Sequence, residues 1–415
     1  MKSPIFVLTI LLLASLACGL PNITIAWPTE PPGQPPVVTQ APAAQPTEQP
    51  PVVTQPPATQ PPAIQPSTTL PNAIAIVQEK HAAVNIYSLD GQLIAEIGSA
   101  GLENTGPESV HIAGRLAAAY LPMAYFTYSN GGQIMLNTNE QIAPLVNAPN
   151  FASMLGEPGQ PILSYSTAEF GQTALRSQLF VSPIDTLSYA GPAVSMDDPE
   201  GRAIKPLAIY VEGGVPTGVW YTLWPWGIGG DIVFDPTEGI YYDNINDGTI
   251  TERMDKISRS ANMSFDQVWA AYASGIPGNG TFHIYNLRTG EIYGFNPLPS
   301  SERCAGYGVF SPSDTYVAWM EGSGWTMAET PNFHATIRVG TTGGAWLMDY
   351  PDTMLASLLG TAVAWAEPVG WLDDQRLVLQ VRGTDWSDAS VVVMDITTNY
   401  LTYLTSGAFV GFVDP

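Results

Sequence analysis

Catalysis and metal binding need side chains that ligate, attack or carry protons, and this chain is sparing with them. Of its 415 residues only four are histidine and two are cysteine. His81, His111, His283 and His334 are scattered, with no two at metal-ligand spacing, so each reads as structural or exposed. No Gly-x-Ser-x-Gly elbow, His-Glu-x-x-His pair or phosphate-cradling glycine loop occurs. The run Asp243-Asn244-Ile245-Asn246-Asp247-Gly248 approaches the spacing of a calcium-ligating loop. Ile245 occupies a ligand position, however, and Met254 stands where the closing glutamate belongs, so a hairpin turn explains the run better. Asp197-Asp198 reads as a solvated pair in a loop. We therefore expect no catalytic residue, no metal site and no cofactor in any local motif. A site drawn from several distant segments would leave no such trace.

Aromatic chemistry is more plentiful, with 11 Trp and 18 Tyr. Trp220, Trp224, Trp226, Trp325 and Trp386 sit in what read as long connections. Exposed indoles gathered on one side would stack against sugars or peptide side chains. The plainer alternative is that Trp220 and Trp224 pack into an extra hairpin sealed by Trp226. The candidate ligand-binding residues are Trp224, Trp226, Trp325 and Trp386, with Trp325 and Trp386 expected to be exposed. The two cysteines, Cys18 and Cys304, rule out a disulfide framework. Cys304 reads as a small buried apolar residue rather than a reactive thiol.

Cys18 belongs to an address. Lys2 precedes an apolar run from Ile5 to Leu13, which is too short to span a bilayer, and Ala14-Ser15-Leu16-Ala17-Cys18-Gly19 comes next. Leu16-Ala17-Cys18 resembles the bacterial lipobox, although that family places its leucine where this chain has Ser15. The resemblance implies cleavage after residue 17 and diacylglycerol on the Cys18 sulfur. Acyl chains hold to a bilayer by ~0.8 kcal/mol per buried methylene. An ordinary secretory signal that happens to contain a cysteine is the alternative.

Residues 18–71 then read as a tether. Pro35-Pro36-Val37-Val38-Thr39-Gln40 recurs as Pro50-Pro51-Val52-Val53-Thr54-Gln55. Proline lacks the backbone donor that helix and sheet need, and aromatics are too few for a core. Such a segment is expected to extend as polyproline II at ~3.1 Å per residue, reaching on the order of 150 Å. A proline-motif ligand for another domain is the second reading.

Residues 72–415 carry the fold. Seven segments pair short apolar strands around polar turns, at Val84–Ala95, Ile134–Val146, Leu179–Leu187, Ile240–Thr251, Phe282–Phe295, Ile337–Met348 and Val391–Leu404. Asp90-Gly91 and Asn246-Asp247-Gly248 suit the positive φ angles of tight hairpins. The segments start ~40 to 60 residues apart, the spacing of four-stranded propeller blades. Pro161–Tyr165 and Leu207–Val211 read as further blade strands. We expect an all-β β-propeller of about seven blades, with six or eight as alternatives. The C-terminal strand, Phe409–Phe412, should complete the N-terminal blade beside Ala73–Val77 and leave no open edge. The unit Phe310-Ser311-Pro312-Ser313-Asp314, followed by Tyr316-Val317-Ala318-Trp319, resembles the repeats of TolB-type and WD-repeat-like propellers. It lacks the Trp-Asp dipeptide of WD repeats, and the Ser-x-Asp-x-Gly-x-x-Trp box of sialidases is also missing. The resemblance implies fold but leaves scaffold, sugar-binding and peptidase-accessory roles open.

Connections at Thr167–Arg176, Glu212–Gly230, Ser274–Thr281, Gly322–Phe333 and Gly383–Ala389 read as long, and strand polarity would collect them on one face. Long loops on a rigid scaffold are where binding concentrates. The formal net charge of −23 argues against nucleic acid as a partner. The expectation is a monomeric, extracytoplasmic binding or scaffold propeller, held to the bacterial membrane by its lipid, with an unknown protein or carbohydrate ligand. The alternative is a hydrolase or accessory domain acting on polysaccharide or peptide.

Overall fold

The computed structural model describes residues 71, 73–78, 81–97, 110–111, 115–117, 123–128, 133–138, 141–147, 151–155, 162–183, 191–225, 236–274, 280–299, 302–324, 333–383 and 389–414. The signal segment, Cys18 and the tether up to residue 70 lie outside them. So do Trp226, Trp325 and Trp386.

Within the described residues the strands form six sheets that make up seven blades, four strands to a blade with Thr249–Met263 shared between two of them. Blade 1 runs outward from Ala408–Asp414 through Ala73–Gln78 and His81–Ser88 to Leu93–Ile97. Blade 2 holds Val110–His111, Met123–Tyr128, Gln133–Thr138 and Gln141–Asn147. Blade 3 is built from Phe151–Leu155, Ile162–Phe170, Leu175–Pro183 and Pro192–Asp198. Blades 4 and 5 form one continuous sheet, of Arg202–Glu212, Val215–Pro225, Pro236–Asn244, Thr249–Met263, Trp269–Ser274, Thr281–Asn286 and Ile292–Gly294. Blade 6 comprises Arg303–Phe310, Tyr316–Ser323, His334–Thr341 and Trp346–Pro351. Helix α1, Asp352–Leu359, leads from it into blade 7, which is Val363–Trp371, Arg376–Gly383, Ala389–Asp395 and Tyr400–Ser406.

The seam falls where expected. Ile74 pairs with Phe412 and Ile76 with Phe409, antiparallel, so the last strand is the innermost of blade 1. Arg115–Ala117 adds a parallel strand on its other side, which the sequence did not suggest. Two interior residues tighten this join. Gln380 of blade 7 accepts the Phe409 N–H at 2.8 Å and donates to Glu367 at 2.9 Å.

Core side chains gather between neighbouring blades rather than inside any one of them. Phe282 of blade 5 lies flat on Trp319 of blade 6, centroids 4.7 Å apart, with Phe295 tilted at 4.5 Å. Gly308 permits this approach, because a Cβ there would meet the Phe282 ring at 2.7 Å. A second cluster joins Met320 and Ile337 of blade 6 to Leu377 and Val392 of blade 7, and a third joins Ile74 and Ile76 to Val378 and Val391. Strands apolar on both faces are buried on both faces, as such sequences require.

Two expected connections are corrected. Thr167–Arg176 is almost all strand, Ile162–Phe170 pairing with Leu175–Pro183 across a short turn at residues 171–174. Glu212–Gly230 is no single loop either. Gly213 and Gly214, at φ 60° and 79°, turn the chain tightly, and the chain continues as the strand Val215–Pro225. The third hairpin also runs further than Leu179–Leu187, since its second strand is Pro192–Asp198.

Candidate functional site

Antiparallel order divides the chain's turns between two faces. Turns from first to second and from third to fourth strand share one. Connections from second to third strand, and from one blade to the next, share the other.

The first face is built for closure. In the repeated turns Ser264–Trp269 and Ser311–Tyr316 the serine amide donates to the carbonyl of the aromatic residue, at 2.9 Å in each. The residue two before the next strand adopts positive φ, 55° at Gln267 and 56° at Asp314. That geometry throws its side chain onto the preceding blade. Asp314 accepts the N–H groups of Phe265 and Asp266 at 2.9 and 2.8 Å. Gln267 donates to the Ile209 carbonyl and accepts from the Trp220 indole. Asp374 accepts the Ser313 N–H at 3.0 Å. Burial and the neighbouring Asp266 hold the Asp314 carboxyl well above the usual carboxylate range. These acids are fasteners between blades.

Several charges on the second face are likewise committed to partners. Arg202 is clamped by Asp198 at 2.8 Å and Glu238 at 2.7 Å, which tie blade 3 to blade 4. Asp198 is buried, so the Asp197-Asp198 pair is not the solvated loop pair expected from sequence; only Asp197 faces water. In blade 6, Arg338 bridges Glu321 and Asp349 at 2.7 Å each and donates to the Asn296 carbonyl, while Glu321 accepts the Leu298 N–H. This pins the connector between blades 5 and 6. His334 meets Asp352, in the first turn of α1, at 2.8 Å.

A cleft of about 660 Å³ opens on this second face at blade 7. Four segments build it: the end of α1 with its connection to the next strand (Leu358, Leu359, Thr361, Ala362, Val363), the end of the second strand (Val381, Gly383), the start of the third (Ser390) and the end of the fourth (Tyr403, Ser406). None of these side chains carries a charge. Small-molecule sites occupy ~300–1,000 Å³.

Of the aromatic candidates, Trp224 is half-buried on the strand Val215–Pro225, opposite Ala203, and is not on a loop. Trp220 is buried against Tyr242, which is the packing alternative. The segments carrying Trp226, Trp325 and Trp386 leave from Pro225, Gly324 and Gly383, at the ends of second strands on the cleft-bearing face. Cys304 is buried, and desolvation pushes its thiol up to about 12. Asp243–Gly248 is the hairpin turn expected, closed by the Gly248 N–H on the Asn244 carbonyl at 2.8 Å. Among the described residues no group of three or more His, Cys, Asp or Glu could hold a metal. The cleft went unforeseen, since its lining comes from four stretches with no motif.

Fold and site geometry define a β-propeller protein. No family model matches the sequence, and no curated protein matches it. Solved structures do. A prolyl endopeptidase aligns over 82% of this chain and 50% of its own, at 7% identity and TM-score 0.52. Oligogalacturonate lyase in complex with manganese aligns over 81% of this chain and 85% of its own, at 9% identity and TM-score 0.48. TolB from Acinetobacter baumannii aligns over 81% of both chains, at 13% identity and TM-score 0.38. At such identities the likeness concerns the fold alone.

Proposed function

We propose that this protein is a binding propeller, displayed outside the bacterial cytoplasm on a lipid at Cys18 and a proline-rich tether, that recognises a protein or glycan through its cleft-bearing face. One observation carries the reading: the cleft at blade 7 lies on the face from which the segments holding Trp226, Trp325 and Trp386 depart. Those three tryptophans and Trp224 are the proposed contacts. Asp198, Glu238, Glu321, Asp349 and Asp314 already serve Arg202, Arg338 or the turn amides, which favours binding over hydrolysis. No helix among the described residues is long and apolar enough to cross a membrane, and the proposed anchor is the acyl chain. Two measurements test the proposal. Cys18→Ala should leave the membrane fraction, and retention there would refute the lipid anchor. Binding on an array of glycans and cell-envelope proteins should vanish in a Trp325→Ala, Trp386→Ala double variant; undiminished binding would refute the face assignment.

A further inference from the structure

Resting on that reading, we propose that the blade 7 cleft takes an uncharged, hydroxyl-rich ligand, a short neutral oligosaccharide or the end of a neutral glycan chain. Its lining is the argument. Four of the ten wall residues are hydroxyl-bearing, Thr361, Ser390, Tyr403 and Ser406, and the remainder are aliphatic or glycine. Among the described lining residues no lysine, arginine or histidine could hold a uronate, phosphate or sulfate, and the protein's net charge of −23 repels such anions. Among the described lining residues none is a carboxylate that could hold a cation. An aliphatic ligand would strip water from the hydroxyls and return no hydrogen bond, a loss of ~1–3 kcal/mol for each. Hydroxyls both donate and accept and rotate to suit, which matches the mixed donors and acceptors of a sugar ring.

Two features of the fold aim the site. In blade 7, Val391 pairs with Thr405 and Val392 with Tyr403, so Leu404 is an extra residue in a β-bulge. The bulge breaks the alternation of the outer strand. Leu404 turns into the core at 8% exposure while Tyr403 stands 46% exposed at the cleft, its hydroxyl 2.5 Å from that of Ser406. Bulges re-aim side chains in this way. A phenol ring so presented offers a stacking face and a polar tip. Helix α1 supplies the second feature. It ends in left-handed Gly360, whose N–H caps the Ala356 carbonyl. The carbonyls of its last turn point toward the C-terminal end, where the cleft opens, and accept hydrogen bonds from ligand hydroxyls.

The test uses the full-length protein in detergent on an array of neutral gluco-, manno-, galacto- and N-acetylhexosamine oligosaccharides, beside uronate- and sulfate-bearing ones and neutral peptides. Binding confined to neutral glycans is expected. Tyr403→Ala should weaken it at least tenfold and Ser390→Trp, which fills the cleft, should abolish it. Tyr403 is exposed, so Tyr403→Ala should leave thermal unfolding unmoved; Ser390 is half-buried, so Ser390→Trp counts only where its unfolding temperature matches the wild type, and this separates lost contact from lost fold. Neutral-glycan binding that survives both variants but disappears in the Trp325→Ala, Trp386→Ala protein overturns the cleft assignment while leaving the proposed function standing. Binding only to anionic glycans or only to peptides overturns the ligand class. Binding to nothing on the array overturns both.

Discussion

Asp243 offers a sharp test of the packing argument. It sits on the third strand of blade 4, paired between Val219 and Ile250, and is 1% exposed. Neither carboxylate oxygen has a hydrogen-bond partner. Burial first, and the like charge of Asp247 second, push its pKa from 3.8 up to about 6. A carboxyl raised in the folded state is a liability when ionised: the fold loses nothing below the unfolded value and loses progressively more as pH climbs to the folded one. The two values put the loss at roughly 1.5 kcal/mol at pH 5 and roughly 3 kcal/mol at pH 8. Asp243→Asn removes the ionisation and keeps the shape. A protonated carboxyl and an amide both lack partners here, so they differ little at low pH. Urea unfolding of both proteins at pH 5 and pH 8 is the assay. The variant should gain on the wild type by about 1.5 kcal/mol between the two pH values, every other titration being common to both. A stability difference that does not change with pH, or a variant less stable at pH 8, would refute the reasoning.

The same contacts have other consequences. Deleting Gly407–Pro415 exposes the edge of Ala73–Gln78 and should strongly lower the unfolding temperature; an unchanged transition would contradict the seam. Arg338→Met strands the fully buried Glu321 and should cost about 3–5 kcal/mol in chemical denaturation, most of it recovered by adding Glu321→Leu. Cys304, buried with a thiol pushed up to about 12, should resist iodoacetamide at pH 8 in the native protein and react only after unfolding, as mass spectrometry would show.

Much of this architecture is local in origin. Asp90-Gly91, Asn246-Asp247-Gly248 and Thr289-Gly290 each mark a real hairpin, with Gly91, Gly248 and Gly290 at φ 83°, 69° and 79°. A tight turn demands particular residues, so it can be read from four letters. Trp220 and Trp224 were harder to place. Gly213-Gly214 is also a tight turn, yet without it in view the next eleven residues pass for a loop. Thr249–Met263 hides something subtler. Its first part closes blade 4 against Pro236–Asn244 and its end opens blade 5 against Trp269–Ser274, with Arg259 paired on both sides. Nothing in a strand's own residues says how many partners it has.

By itself the sequence determined the all-β class, the tight turns, the repeat and the returning C-terminal strand, because short apolar runs and glycine at positive φ are properties of neighbours along the chain. Tertiary structure alone decided which acids became fasteners and which surface became a cleft. Asp314 and Asp374 are ordinary turn residues until another blade's amides arrive, and Tyr403 reaches the cleft only because Leu404 bulges. Those outcomes depend on groups tens of residues apart meeting within 3 Å, and no spacing in one dimension records that encounter.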